Sequence, residues 1–233
     1  MHVNSIEPPR SVTADMKFPN ETAKYRSARD ELLNAELALR RQIEAVAALR
    51  RKLPAGGEVP EDYVFEGEDG AARLSQLFQN GNTLVAYSFM YGPKMKQACP
   101  SCTSILDSLD GAAQHLVQVT NLVVIAKSPL ARIREHARKR GWRHLKLLSS
   151  EKNSYNRDYG AETPDGSQMP MTNVFRKKNG AVRHFWGTEL LYAKSNRGQD
   201  PRHGDLFWPL WNVLDLTPEG RGKEWNPKLD YKA

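Results

Sequence analysis

Two short, uninterrupted apolar runs set the strongest limit on this fold: Thr83 to Tyr91 (TLVAYSFMY) and Asn121 to Lys127 (NLVVIAK). Each has the length of one strand, and each is rich in the aromatic and β-branched residues that suit a pleated surface. Runs apolar at nearly every position belong to strands covered on both faces. Such strands need helices over the sheet, and the intervening sequence supplies them. A helix is expected from Cys99 to about Val117, and a second from Pro129 to Arg140, with Gly141 placed to stop it. His144 to Ser149 reads as a third strand, and Asn153 to Tyr159 as a short helical stretch ending at Gly160. Met171 to Lys177 and Ala181 to Trp186 flank Lys178-Asn179-Gly180, and Asn-Gly is a strong hairpin signal. Strands alternating with helices and closed by a hairpin predict an α/β fold, a mixed sheet with helices on both faces.

Upstream, Tyr63 to Glu66 reads as a short strand and Ala72 to Phe78 as a helical turn or short helix. A Pro/Gly linker, Pro54 to Pro60, separates these from a long helix expected over 22–53. That stretch has no Gly or Pro, and Ala, Leu, Glu and Arg dominate it. Tyr25, Ala28, Leu32, Ala35, Leu39, Gln42, Val46, Leu49 and Leu53 follow alternating steps of three and four, a narrow stripe of the coiled-coil type. Pairing with a second copy, as a homodimer, and folding back on its own domain are both consistent with that stripe. Residues 1–21 read as a loose arm, 61–218 as the main domain and 219–233 as a tail, with part of the Trp- and Pro-rich region from Gly187 onward forming a short capping helix.

The opening residues are polar and broken by proline, and no apolar run reaches the eighteen or so residues of a membrane span. A cytoplasmic, membrane-free protein is expected. The net charge is +7, and Lys127 to Lys146 alone holds eight basic residues and one acid, Glu135. A solvated helix face explains such a block most simply. Nucleic acid is an unfavoured partner, because no recognised nucleic-acid-binding signature accompanies the charge.

The chain has two cysteines, three apart in Cys99-Pro100-Ser101-Cys102, after a buried strand and at the opening of a helix. The unpaired N–H groups and the dipole of a helix start favour a thiolate. A free cysteine titrates near pH 8.5, and this arrangement brings it to about 7 or lower. Pro100 fits the first turn, where a missing N–H costs nothing. Cys99 is then the exposed nucleophile and Cys102 the buried resolving thiol, catalysing disulfide exchange without a cofactor. Three other readings compete. A structural zinc site needs four ligands, and no second histidine follows His115 at finger spacing, so no metal is expected. The cysteines can also be inert core packing, or a structural disulfide, which a cytoplasmic setting disfavours.

The longer series of motifs carries a resemblance. Asp62-Tyr63-Val64-Phe65-Glu66-Gly67, Leu74, Leu77-Phe78, Tyr87-Ser88-Phe89-Met90-Tyr91-Gly92-Pro93, Cys99-Pro100-Ser101-Cys102, Leu109-Asp110-Gly111, Gly141-Trp142 and Leu214-Asp215-Leu216-Thr217-Pro218 occur in order. In these the chain resembles the thioredoxin superfamily. Within it, the chain is similar to the bacterial domain-of-unknown-function family numbered eight-nine-nine, described as predicted dithiol-disulfide oxidoreductases. The resemblance implies a thioredoxin-like sheet and activity on a protein or small-molecule disulfide. It also implies a cis-proline opposite the dithiol. Pro170 stands at the matching place, with the Met169 backbone able to pair with a substrate strand, so Met169, Pro170 and Pro100 are the expected substrate-binding residues. An ordinary trans proline at a strand start is the other reading of Pro170. Ala98 replaces the tryptophan of thioredoxin, and Thr83 to Tyr91 lacks its buried carboxylate. A peroxidase reading is disfavoured, since Lys96 holds the hydroxyl position of the peroxiredoxin motif. The alternative to an enzyme is a non-catalytic binding or dimerisation module, or a redox sensor.

Overall fold

The computed structural model describes residues 16–222 and 224–231. Most of the loose arm expected at 1–21, and the last two residues of the tail, lie outside the described residues. The chain divides into two compact units on either side of the Leu53–Pro54 bond. The first contains helix α1, Ala23–Arg51, with Thr22 as its N-cap. The Thr22 hydroxyl accepts a hydrogen bond from the Tyr25 N–H at 3.1 Å, which satisfies one of the orphan donors of the first turn. Arg26 and Asp30, one turn apart, form a 3.0 Å ion pair, and Arg50 and Arg51 in the last turn complement the dipole.

The second unit is built on one mixed sheet of seven strands. In chain order these are β1 (Val64–Gly67), β2 (Gly70–Arg73), β3 (Thr83–Ser88), β4 (Asn121–Ala126), β5 (Leu147–Ser149), β6 (Met171–Lys178) and β7 (Ala181–Gly187). Their spatial order is β2-β1-β5-β4-β3-β6-β7. β3, β4 and β5 run parallel, while β6 is antiparallel to β3 and β7 to β6. Two parallel strands joined through a helix, with an antiparallel hairpin beside the first, make the order β4-β3-β6-β7, the core of a thioredoxin-like sheet. β1 and β2 extend it antiparallel beyond β5.

Helices α2 (Pro100–Leu116), α3 (Leu130–Arg140), α4 (Tyr155–Asp158) and α5 (Pro209–Leu214) complete the unit. Strand alternation divides the core into two layers. On one face Leu84, Ala86, Val123, Ile125 and Phe175 pack with Tyr63, Phe65 and Tyr155. On the other, Tyr87, Phe89, Val124 and Ala126 meet Cys102, Ile105 and Leu106 of α2, Ile133 of α3, and Trp208. Each fully buried Leu, Ile or Phe contributes about 1.5–3 kcal/mol. All six residues of β4 are buried, as its uninterrupted apolar run requires.

Local signals are realised closely at turns. Gly141 caps α3 with φ 77°, a conformation that a side chain disfavours. Asn179 and Gly180 take φ 53° and 82°, the paired positive values of a type I′ hairpin. Two expectations need correction. The helical turn expected from Ala72 to Phe78 is confined to a 3₁₀ turn at Leu74–Gln76, while Ala72 and Arg73 end β2. Gly70–Arg73 lacks an apolar alternation of its own and is extended because it pairs residue by residue with β1. The strand expected from His144 begins only at Leu147. The Asp110 carboxylate accepts from the N–H groups of Arg143, His144 and Leu145 at 2.8–3.1 Å, so those donors point at a side chain rather than along a ladder. Among the described residues, no helix is long and apolar enough to cross a membrane.

Candidate functional site

The two cysteines meet at the end of the sheet where β3 runs out. Phe89 still bonds to β4, its N–H donating to Ile125 O at 2.8 Å. The chain then turns through Gly92–Ala98 and returns, with the Cys99 N–H donating to Met90 O at 3.1 Å. Cys99 is the N-cap of α2 in an extended conformation, φ −63° and ψ 123°, with Pro100 in the first turn. Its sulfur accepts from the Cys102 N–H at 3.5 Å, and its carbonyl accepts from both the N–H and the hydroxyl of Thr103 at 2.9 Å. The cysteine therefore stands where a Ser or Asp cap would, with its sulfur on the positive end of the helix.

Both cysteines are free thiols, one partly exposed and the other buried. Donation from the Cys102 thiol, aided by the backbone amides of Cys102 and Ser101, outweighs burial and brings Cys99 down to about 6. Cys102 shifts the other way: its bond to Cys99, burial and the neighbouring negative charge push it well above its ordinary value. The two shifts run in opposite directions, favouring the charge on Cys99 and the proton on Cys102.

The loop before Cys99 is held by α3. The Arg132 guanidinium donates to Gly92 O at 3.0 Å, to Lys96 O at 3.2 Å and to Met95 O, and lies over the Tyr91 ring, 4.2 Å from its centroid. His136 on the same helix bonds the Thr103 hydroxyl at 3.1 Å among the rings of Phe89, Tyr91 and Trp142. Burial and the Arg140 charge lower its pKa and keep it neutral at neutral pH. Much of the basic block is engaged within the fold. Besides Arg132, Lys127 pairs with Glu162, Arg134 with Glu68, Lys139 with Glu135, and Arg140 with Asp107. Asp107 also accepts from the Trp142 indole at 2.8 Å.

Pro170 precedes β6, whose first residue Met171 lies opposite Ser88 at the end of β3, so the fold brings Met169-Pro170 to the edge from which the Cys99 loop emerges. The Met169–Pro170 bond is trans, as are all described peptide bonds, which corrects the cis-proline implied by the resemblance. Met169 donates its N–H to Ala161 O at 2.9 Å; that bond and the strand continuing from Met171 carry the chain into β6 through an ordinary trans link. On the other flank, a recess of about 260 Å³ opens beside the first turn of α2, lined by Ser101, Trp208, Trp211, Arg202 and Arg221 among others. The Trp208 indole donates to Ser104 Oγ at 3.1 Å. Among the described residues, no group of three or more His, Cys, Asp or Glu is placed to hold a metal.

Sequence reasoning located the dithiol and missed its surroundings. Arg132 and His136 were legible only as members of a charged helix. Asp110, Trp142 and Tyr87 appeared as motif residues without a role, Tyr87 also as one aromatic in a buried strand.

A family model described as "Bacterial protein of unknown function (DUF899)" matches residues 16–232. No curated protein matches the sequence. Among solved structures, the exposed lipoprotein thioredoxin of Streptococcus pneumoniae aligns with TM-score 0.39 and 16% identity, over 53% of this chain and 87% of that one. Peroxiredoxin Q of Xanthomonas campestris gives 0.44 and 13%, over 69% and 99%. The 2-Cys peroxiredoxin of Plasmodium vivax gives 0.43 and 18%, over 70% and 96%.

Proposed function

The chain belongs to the DUF899 family of bacterial proteins of unknown function, and on that premise we propose that it is a dithiol–disulfide oxidoreductase working through Cys99 and Cys102. One observation carries the reading: a partly exposed cysteine caps a helix with its sulfur stabilised as a thiolate, and a buried thiol lies directly behind it. An inert core pair has no need of that asymmetry.

The Cys99 thiolate attacks one sulfur of a substrate disulfide. A Cys99–S bond forms, the substrate S–S bond breaks, and the departing thiolate takes a proton from water. Cys102 then attacks Cys99 Sγ, which forms the internal disulfide and expels the second substrate sulfur. The two electrons gained by the substrate come from the dithiol. Pro100 removes an N–H from the helix start and leaves an apolar surface next to Cys99. Met169 and Pro170 border the same end of the sheet. Because the Met169 N–H is already bonded to Ala161, a substrate strand would be met by the Met169 carbonyl. The substrate class is a protein or small-molecule disulfide.

The test equilibrates the purified chain with defined ratios of reduced and oxidised glutathione, then traps free thiols and counts them by mass. A reversible two-electron transition between roughly −270 and −120 mV is expected, the span of thioredoxin-fold dithiols. If no intramolecular disulfide forms at any ratio, the proposal is wrong.

A further inference from the structure

Resolution of a mixed disulfide makes a demand that the dithiol alone does not meet. Cys102 must develop negative charge where it is 2% exposed, among Ile105, Leu106, Val124 and Trp208. Charge formed in apolar surroundings is costly without a hydrogen-bond donor, and β3 carries no carboxylate.

What β3 does carry on that face is Tyr87, itself 2% exposed. Its ring is held edge-on to Phe207 at 6.0 Å. Its hydroxyl is fully buried and has no hydrogen-bond partner, a condition that costs about 1–3 kcal/mol. The cross-strand neighbour of Tyr87 is Thr172, whose hydroxyl is also buried without a partner. Directly opposed residues share a face, so two unsatisfied hydroxyls sit side by side on the layer that contains Cys102. The buried, unpartnered hydroxyls of Ser88 and Tyr155 belong to the other layer. Of these groups, Tyr87 is the one that belongs to the same buried cluster as Cys102.

Building on the dithiol reading, we propose that Tyr87 is a catalytic residue, its hydroxyl donating a hydrogen bond to Cys102 Sγ as that sulfur becomes the attacking thiolate. In this step the Cys102–Cys99 S–S bond forms and the bond from Cys99 to the substrate sulfur breaks. The proton lost by Cys102 ends on the departing sulfur. Tyr87 keeps its own proton throughout, because burial and the negative charge at Cys102 hold the phenol well above its usual range. The hydroxyl is unsatisfied in the resting dithiol and satisfied when charge appears, so its contribution falls on the resolving step.

The experiment is stopped-flow reaction of the reduced full chain with the aromatic disulfide DTNB. The first equivalent of thionitrobenzoate reports attack by Cys99, and the second reports resolution by Cys102. In Tyr87→Phe the second phase is expected to slow roughly 10- to 100-fold, the rate equivalent of a hydrogen bond to a charged group. Its pH midpoint should move up by about one to two units, while the first phase changes less than about twofold. A second phase with unchanged rate and midpoint overturns the proposal and leaves the dithiol reading standing. Release of only one equivalent by the wild-type chain defeats both. Loss of an unsatisfied hydroxyl should leave the melting temperature equal or higher. As a second variant, 3,5-difluorotyrosine at position 87 keeps the ring and strengthens the donor, so it should accelerate the second phase; no acceleration counts against the proposal.

Discussion

Replacing Cys102 by alanine should raise the pH at which Cys99 ionises, and by how much follows from what the sulfur touches. Cys99 is held at about 6 by three donors, of which the Cys102 thiol is the largest and the backbone amides of Cys102 and Ser101 the others. Cys102→Ala removes only the thiol, since the amides belong to the helix start. A hydrogen bond to a charged group is worth about 1.5–3 kcal/mol, or roughly one to two pH units. The midpoint in the alanine variant is therefore expected between about 7 and 8, still below the 8.5 of a free thiol because the helix start remains. Cys102→Ser, whose hydroxyl can still donate, should fall between the variant and the wild type. The assay is the rate of iodoacetamide alkylation against pH, with modified protein counted by mass. The midpoint is the quantity to read rather than the rate at one pH, since a thiolate of higher pKa is also intrinsically more nucleophilic and offsets part of the loss. A wild-type midpoint near 8.5 would refute the capping argument. A wild-type midpoint near 6 that does not move in Cys102→Ala would refute the role given to the thiol.

Two further outcomes follow from the same structure. The Asp110 carboxylate is the acceptor for three consecutive backbone N–H groups between α3 and β5, so Asp110→Ala should destabilise the chain by about 3 kcal/mol in urea denaturation. Asp110→Asn, which keeps one accepting oxygen, should lose less; an alanine variant within 0.5 kcal/mol of wild type (about the scatter of surface substitutions) would contradict the assignment. The cysteines also link stability to pH. Because folding lowers the Cys99 pKa, its contribution is complete above the unfolded value of about 8.5 and is lost as pH falls toward 6. Folding raises the Cys102 pKa, so its contribution is present below about 8.5 and is lost above it. Reduced wild type should therefore gain stability relative to Cys99→Ala from pH 6 to 8.5, and a flat difference across that range would be inconsistent with the shift.

The dithiol could be found in the sequence because everything that defines it is local. A cap residue, a proline in the first turn and a preceding apolar run lie within about twenty positions of one another, and helix starts are decided by such neighbours. The same is true of Gly141 at the end of α3 and of Asn179-Gly180 in the hairpin, where positive φ narrows the choice of residue. Ala72 and Arg73 read as the start of a helical turn because nothing in their local sequence distinguishes turn from strand; their extended form depends on β1 alongside. His144 reads as strand in the sequence because nothing there reveals that a carboxylate more than thirty residues earlier captures its N–H.

The sequence by itself therefore determined the alternation of elements and the placing of a cysteine pair at the start of α2, since periodicity and capping act over one or two turns. The tertiary structure alone decided that β6 lies beside β3, that Arg132 reaches the Cys99 loop, that Pro170 enters its strand through a trans bond, and that Tyr87 and Cys102 share one buried layer. Those relations depend on which distant segments share a layer, and burial fixes that choice only when the whole sheet is assembled.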